Sequence, residues 1–300
     1  MENKKILIVA SVLLVLAVIT ISVALGYQKL MDTPDTGEVA RIELNEPIMP
    51  GVGGPLSSGG TDPKTIQSLV DQAQRDNVDA FLVELNSPGG SVVASKDVAN
   101  TISRIEQPVS CLVKEVAVSG AYWVATECDY IVADSLSTVG SIGAMSTYLE
   151  FSEFMDEQGI EYVNLTAGEH KLTGSMFQEL SDEEREILEG QLDTVHQEFK
   201  DQVADERNLT EDEIEDLATG ETFLGTDAYE KDLIDDTGDK ETSMDYLENE
   251  TNKTLSVSTY ARGESFNILS LLAKRVGEGI GNSLSLEIEG NLGEEPVVFR

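Results

Sequence analysis

The sequence predicts an α/β fold with a mostly parallel sheet behind a single N-terminal transmembrane helix, and three observations carry this expectation. Apolar runs with strand period alternate with segments of helical spacing from residue 39 onward, the pattern of successive strand and helix units. Glycine turns such as 87–90 and 119–120 sit where a strand hands over to a helix. Residues 6–26, from Ile6 to Gly26, carry no charge, and at about 1.5 Å per residue they are long enough to cross a hydrocarbon core.

Lys4 and Lys5, in the short segment 1–5, favour a cytoplasmic N-terminus and place everything after Tyr27 outside, as a single-pass protein in the cell membrane. The alternative is a cleaved signal peptide with Ser22, Val23 and Ala24 before the cut. Either way the bulk of the chain is extracytoplasmic. Residues 27–37 are short and polar, a linker. At 39–44, Ala40, Ile42 and Leu44 alternate with Arg41 and Glu43, as in a strand. Residues 50–60 hold five glycines and two prolines and form a loop.

Pro63 suits the first turn of a helix over 62–75, with Ile66, Leu69, Val70 and Ala73 on its apolar face. The run 78–85 has the composition of a strand buried on both faces. A helix follows with Ala94, Val98, Ile102 and Ile105 on one side. Strands are expected at 109–113, 130–133 and 162–165, and helices at 119–126 and 147–158. A long helix spans 182–206, with Ser181 and Glu184 spaced as a capping box. Beyond residue 250 the pattern weakens. Residues 241–300 form a C-terminal extension, in which 266–276 has amphipathic helical spacing and 287–300 is a polar tail.

The chain carries 20 Lys+Arg against 56 Asp+Glu, a net charge of −36, so most of its surface repels phosphate backbones and nucleic acid is excluded as a partner. Between residues 179 and 250 stand 27 acidic and 5 basic residues, in the first place a solvated face. Over the whole chain the excess suggests adaptation to high salt, where screening removes the self-repulsion. Loss of the folded circular-dichroism signal at low salt would support this; full stability there would sink it. Cys111 and Cys128, with only His170 and His196 for company, form neither a disulfide framework nor a structural zinc site. Both cysteines are read as small core residues; no metal and no cofactor is expected.

Three turns can carry chemistry: 87–90, 119–120 and 140–143. Backbone N–H groups exposed at a helix start bind anions and stabilise oxyanions, although such turns also serve as plain connections. Ser119 stands on one of them, within VSGAYW, where an exposed nucleophile belongs. A serine needs a base. His196 lies mid-helix among acids, and His170 has no evident carboxylate to orient it. A lysine serves when a dry site keeps its amine neutral, and Lys171, just after the strand expected at 162–165, is the candidate. On spacing alone it is an ordinary loop lysine.

The motifs SPGG (87–90), VSGAYW (118–123), GSIGA (140–144), GEHK (168–171), SDEER (181–185) and TGETFLGTDAYEKDLID (219–235) follow one another in this order. In that order the chain resembles the signal peptide peptidase A family, membrane-anchored serine proteases with a Ser–Lys dyad, over residues 38–240. The resemblance implies a Clp protease/crotonase-like fold of repeated ββα units. It implies Ser119 as nucleophile, Lys171 as general base, the N–H groups of Gly90 and Gly120 as oxyanion hole, and Ser141 as the residue that positions the lysine. It further implies remnant signal peptides and other apolar membrane peptides as substrates, and a homo-oligomer whose active sites can be shared between subunits. Ala121-Tyr122, where many members have Gly-Tyr, and Leu172-Thr173, in place of a small polar pair, depart from the family and concern the shape of the pocket. Two other readings remain: a catalytically silent, membrane-tethered peptide-binding scaffold, and a crotonase-type acyl-CoA enzyme, which an extracytoplasmic placement disfavours.

Overall fold

The computed structural model describes residues 18–22, 35–51 and 60–261. Of the apolar segment 6–26, residues 18–22 are helical with exposed side chains; the rest of it, the helix expected at 266–276 and the polar tail lie outside the described residues. Among the described residues no helix is long and apolar enough to cross a membrane.

The expected alternation is present. In chain order the elements are β1 (Thr36–Leu44), α1 (Pro63–Arg75), β2 (Ala80–Ser87), α2 (Val92–Ile102), β3 (Val109–Val118), α3 (Gly120–Thr126), β4 (Tyr130–Ala133), β5 (Thr138–Gly140), α4 (Ser152–Glu157), α5 (Asp182–Arg207), α6 (Glu211–Leu217), β6 (Thr222–Leu224), α7 (Gly225–Glu230), β7 (Asp236–Thr237), α8 (Lys240–Thr251) and β8 (Thr254–Tyr260). The sheet has eight strands in the order β6-β5-β3-β2-β1-β8, with β4 beside β3 and β7 beside β4. Its pairings are parallel except that of β5 with β6.

Period-two side chains sort the sheet into two faces. Ala40, Ile42 and Leu44 of β1 lie with Phe81, Val83 and Leu85 of β2 under α1, α2 and α3, and α1 buries Ile66, Leu69, Val70 and Ala73 there. Burying each of the larger of these side chains is worth ~1.5–3 kcal/mol. The other face holds Val39, Ala80, Leu82 and Leu112 against Leu247 of α8. Also on that face Arg41 donates two hydrogen bonds to Glu84, from Nε at 2.7 Å and Nη2 at 2.6 Å. The pairing with Arg41 leaves Glu84, though buried, with its carboxyl below the usual carboxylate range despite the opposing effect of desolvation.

Four expectations change. The strand at 162–165 does not form, and the helix at 147–158 shrinks to Ser152–Glu157. Tyr162, Val163 and Leu165 are exposed, and apart from the Tyr162 ring, 5.3 Å from that of Phe177, this apolar stretch has little of its own chain to pack on. Beyond residue 250, β8 forms and pairs with β1 from Thr36↔Thr254 to Ile42↔Tyr260, so the sheet extends past the expected boundary at 240. The cysteines, read as separate core residues, are both buried but joined as Cys111–Cys128, with Cα atoms 5.8 Å apart. The helix α3 brings the chain back beside β3 and closes that gap.

Candidate active site

β3 ends at Val118 and α3 begins at Gly120, so the whole change of direction falls on Ser119, which takes φ 54° and ψ −129°. A non-glycine residue at such angles is strained and persists only where its surroundings fix it. Here the Ser119 N–H donates to the Gly140 carbonyl at 2.8 Å, and the Ser119 carbonyl accepts from the Trp123 N–H at 3.0 Å. The helix behind is anchored twice: Trp123 stacks on Phe199 of α5 with ring centroids 4.6 Å apart, and the buried Tyr122 hydroxyl donates to the Leu233 carbonyl at 2.7 Å. The Ser119 side chain makes no capping hydrogen bond and is half-buried. The backbone that carries it is thus held in place, and its hydroxyl makes no hydrogen bond among the described residues.

The second turn packs against the first. Ile48 forms a parallel bridge to Gly90, with the Ile48 N–H donating to Gly89 (2.8 Å) and the Ser91 N–H to Ile48 (2.9 Å). That pattern points the N–H of Gly90 itself the other way. The Gly120 N–H is the first of a helix and has no carbonyl behind it. A Cβ on Gly90 would fall 1.9 Å from the Ile48 carbonyl oxygen, and one on Gly120 would fall 3.4 Å from the Gly90 nitrogen. The two turns are therefore in contact: a side chain on Gly90 would strike the Ile48 backbone, and one on Gly89, with its Cβ 2.6 Å from the Gly120 nitrogen, would push the turns apart. Two N–H groups without an acceptor among the described residues thus lie in the turns that meet at Ser119, an arrangement able to hold an oxyanion.

Ser141 follows Gly140, the acceptor of the Ser119 N–H. It has φ 53° and donates its own N–H to Glu221 at 2.7 Å. Ser119, Gly90, Gly120 and Ser141 are thus gathered in one region. Lys171 is not. Its side chain is exposed in a turn closed by its N–H to the Gly168 carbonyl at 3.3 Å. That turn sits at the start of α5, where Thr173 donates to Glu184 at 3.3 Å and His170 lies 3.8 Å from Glu183. Phe199, the residue under Trp123, is fifteen positions beyond Glu184, or ~22 Å along the helix. In one copy of the chain, Lys171 stands by the first turn of α5, whereas the helix that follows Ser119 packs on Phe199, well along α5. Of the histidines, His170 keeps to Glu183 and His196 has its Nε2 at 2.8 Å from the Ala218 carbonyl. Sequence reasoning missed Ser95, a small helix residue lying under Gly120, because nothing in its spacing separates it from any other buried position.

The far end of α3 carries a different group of residues. Glu127 caps it and borders a cavity of about 550 Å³ together with Asp129, Glu206, Arg207, Glu213 and Asp235. Burial, and then the charge of Glu206, push the Glu127 carboxyl up to about 7. Gln202 donates to it at 2.7 Å. An acid whose folded value is raised loses stability as pH climbs from its unfolded value toward the folded one. Glu127→Gln, which keeps the acceptor for Gln202, is therefore expected to be more stable than the parent at pH 8 by ~1 kcal/mol after solvent screening, and nearly equal to it at pH 5. Denaturant unfolding at the two pH values checks this, and a gain of the same size at both would contradict it.

Residues 101–254 match peptidase family S49. The chain is similar to a protein of Methanocaldococcus jannaschii that carries a protease name, 32% identical over 73% of this chain and 72% of the relative. It is similar to Protease 4 of Haemophilus influenzae, 29% identical over 67% of this chain but only 33% of that protein. A third relative, from Enterococcus faecium and named for signal peptide peptidase, is 28% identical over 68% of this chain and 60% of its own length. Motif order, the paired turns and these likenesses agree: the chain belongs to peptidase family S49, the family of the signal peptide peptidases that its motifs resemble.

Proposed function

We propose that the protein is a membrane-anchored serine endopeptidase that cleaves apolar peptides, remnant signal peptides among them, with Ser119 as nucleophile and Lys171 of a neighbouring copy as general base. The observation that carries the reading is the Ser119 hydroxyl, free of structural hydrogen bonds on a strained turn beside the N–H groups of Gly90 and Gly120. As the Ser119 oxygen bonds to the peptide carbonyl carbon, its proton passes to the Lys171 amine, and the carbonyl oxygen, now negative, takes up the two N–H groups. The Lys171 ammonium then gives the proton to the departing peptide nitrogen as the C–N bond breaks. Water then gives a proton to the same amine as its oxygen bonds to the acyl carbon, and when the bond to the Ser119 oxygen breaks the ammonium returns that proton to the serine.

Assembly supplies what one copy lacks. Met145, Leu149, Phe154, Ile160, Val163 and Leu165 are all exposed, in the stretch between Ser141 and Lys171. Monomeric proteins rarely leave an apolar surface of this kind uncovered. A neighbour seated on it would bring the Lys171 turn of one copy toward the Ser119 turn of the next and dry the site, with Ser141 there to hold the amine. Placement outside the cytoplasm draws support from the Cys111–Cys128 disulfide, since such bonds persist in oxidising compartments. The separation of Lys171 from Ser119 within one chain is the observation that favours the second reading, a peptide-binding scaffold.

The test is labelling of the assembled protein in molar salt by a fluorophosphonate, followed by peptide mapping. Modification confined to Ser119, with hydrolysis of a fluorogenic apolar peptide blocked in step, is the expected result. A folded and assembled protein that neither reacts nor hydrolyses would turn the reading to the scaffold.

A further inference from the structure

Where α2 and α3 cross, one small polar side chain sits between the first turn of α2 and Gly120. Ser95, in the first turn of α2, is fully buried. Its N–H donates to the Ser91 carbonyl at 2.9 Å, but its hydroxyl has no hydrogen-bond partner among the described residues. The Oγ occupies the space a side chain on Gly120 would need: a Cβ there would lie 2.1 Å from Ser95 Oγ and 2.7 Å from Ser95 Cβ. The hydroxyl is thus pressed against the Cα–H of Gly120, within reach of a weak C–H···O contact. A buried hydroxyl without a conventional partner costs stability that an alanine would not, and such a group calls for an explanation outside packing.

We propose that Ser95 is a positioning residue of the oxyanion turns: its Oγ, seated against Gly120, sets the spacing at which the Gly90 and Gly120 N–H groups converge on one oxygen. The inference rests on the reading of Ser119 as nucleophile. It follows from the contacts on either side of Gly120. Ser95 belongs to the helix that starts just after Gly90, so the same side chain that stops α3 from closing on α2 also fixes where the Gly120 N–H points relative to that of Gly90. Removing one atom lets the turns settle together; adding a methyl drives them apart. Either change leaves the peptide-binding surface in place and misaligns only the groups that act on the developing negative charge.

Ser95→Ala and Ser95→Thr are compared with the parent for hydrolysis of the fluorogenic peptide, for inhibition by a peptide aldehyde, whose adduct with Ser119 places an oxygen between the two N–H groups, and for thermal midpoint. In Ser95→Ala the expected result is a fall in kcat of roughly tenfold, an equal loss of aldehyde affinity, KM within about twofold, and a midpoint no lower than the parent's. Ser95→Thr is expected to lose at least as much kcat; should it fail to fold, the alanine variant decides. A folded Ser95→Ala with kcat and aldehyde affinity unchanged overturns the inference alone, as does a lowered midpoint with unchanged kinetics, which would mark Ser95 as packing. A parent that neither cuts the peptide nor binds the aldehyde overturns the reading of Ser119, and this inference with it.

Discussion

Replacing Ser119 by alanine is expected to lower peptide hydrolysis by at least about 10³-fold while leaving the fold and the assembly intact. The side chain caps no helix, and the backbone hydrogen bonds that hold the strained turn, to Gly140 and from Trp123, run through main-chain atoms. Removing the hydroxyl therefore takes away the nucleophile and little else. Lys171→Ala is expected to match it in rate. Its thermal midpoint in the dissociated chain should not move, because the lysine side chain is exposed and exposed substitutions away from special features cost little. Initial rates, a circular-dichroism spectrum and a sedimentation profile on each variant check these outcomes together.

Removing the disulfide is expected to have the largest effect on stability. Cys111 and Cys128 are 17 residues apart, and the loop they close carries Ser119 near its middle. Chain-entropy reasoning assigns ~3 kcal/mol to a loop of that length, or a fall of roughly 6–12 °C in thermal midpoint for a domain of this size. Cys111→Ala/Cys128→Ala, and the parent held with dithiothreitol under denaturing cycling, should both show it. Both sulfurs are buried, so reduction of the native protein is expected to be slow. Equal midpoints with and without the bond would contradict the pairing.

The legible parts of the fold were those with a period. β1, β2 and α1 declare their buried faces because each packs against the body of its own chain, and the Ser181 and Glu184 spacing marks the start of α5, where the capping box forms. The stretch 162–165 has strand composition but no strand to pair with among the described residues, since composition does not say whether a partner belongs to the same chain. β8, with Ser256, Ser258 and other small polar residues on an edge strand, carries too little apolar signal to be separated from a tail. The disulfide depends on α3 folding back along β3, a long-range fact that the spacing of two cysteines does not contain. At the site, the turns that carry Ser119, Gly90 and Gly120 were legible as glycine-marked strand-to-helix connections, while the roles given to these residues came from the resemblance. Ser95 was not, because its meaning lies in what it touches, and the position of Lys171 relative to Ser119 was not, because it turns on how α5 runs.

The measurement that goes most directly to the shared Ser–Lys site is complementation. Ser119→Ala and Lys171→Ala chains carrying different tags are coexpressed, and assemblies holding both are isolated in molar salt and assayed on the fluorogenic peptide. If Ser119 of one copy works with Lys171 of the next, random mixing in equal amounts restores about a quarter of the parent's activity from two inactive chains. Mixed assemblies, shown to hold both tags, that remain as inactive as either variant alone would contradict the shared site.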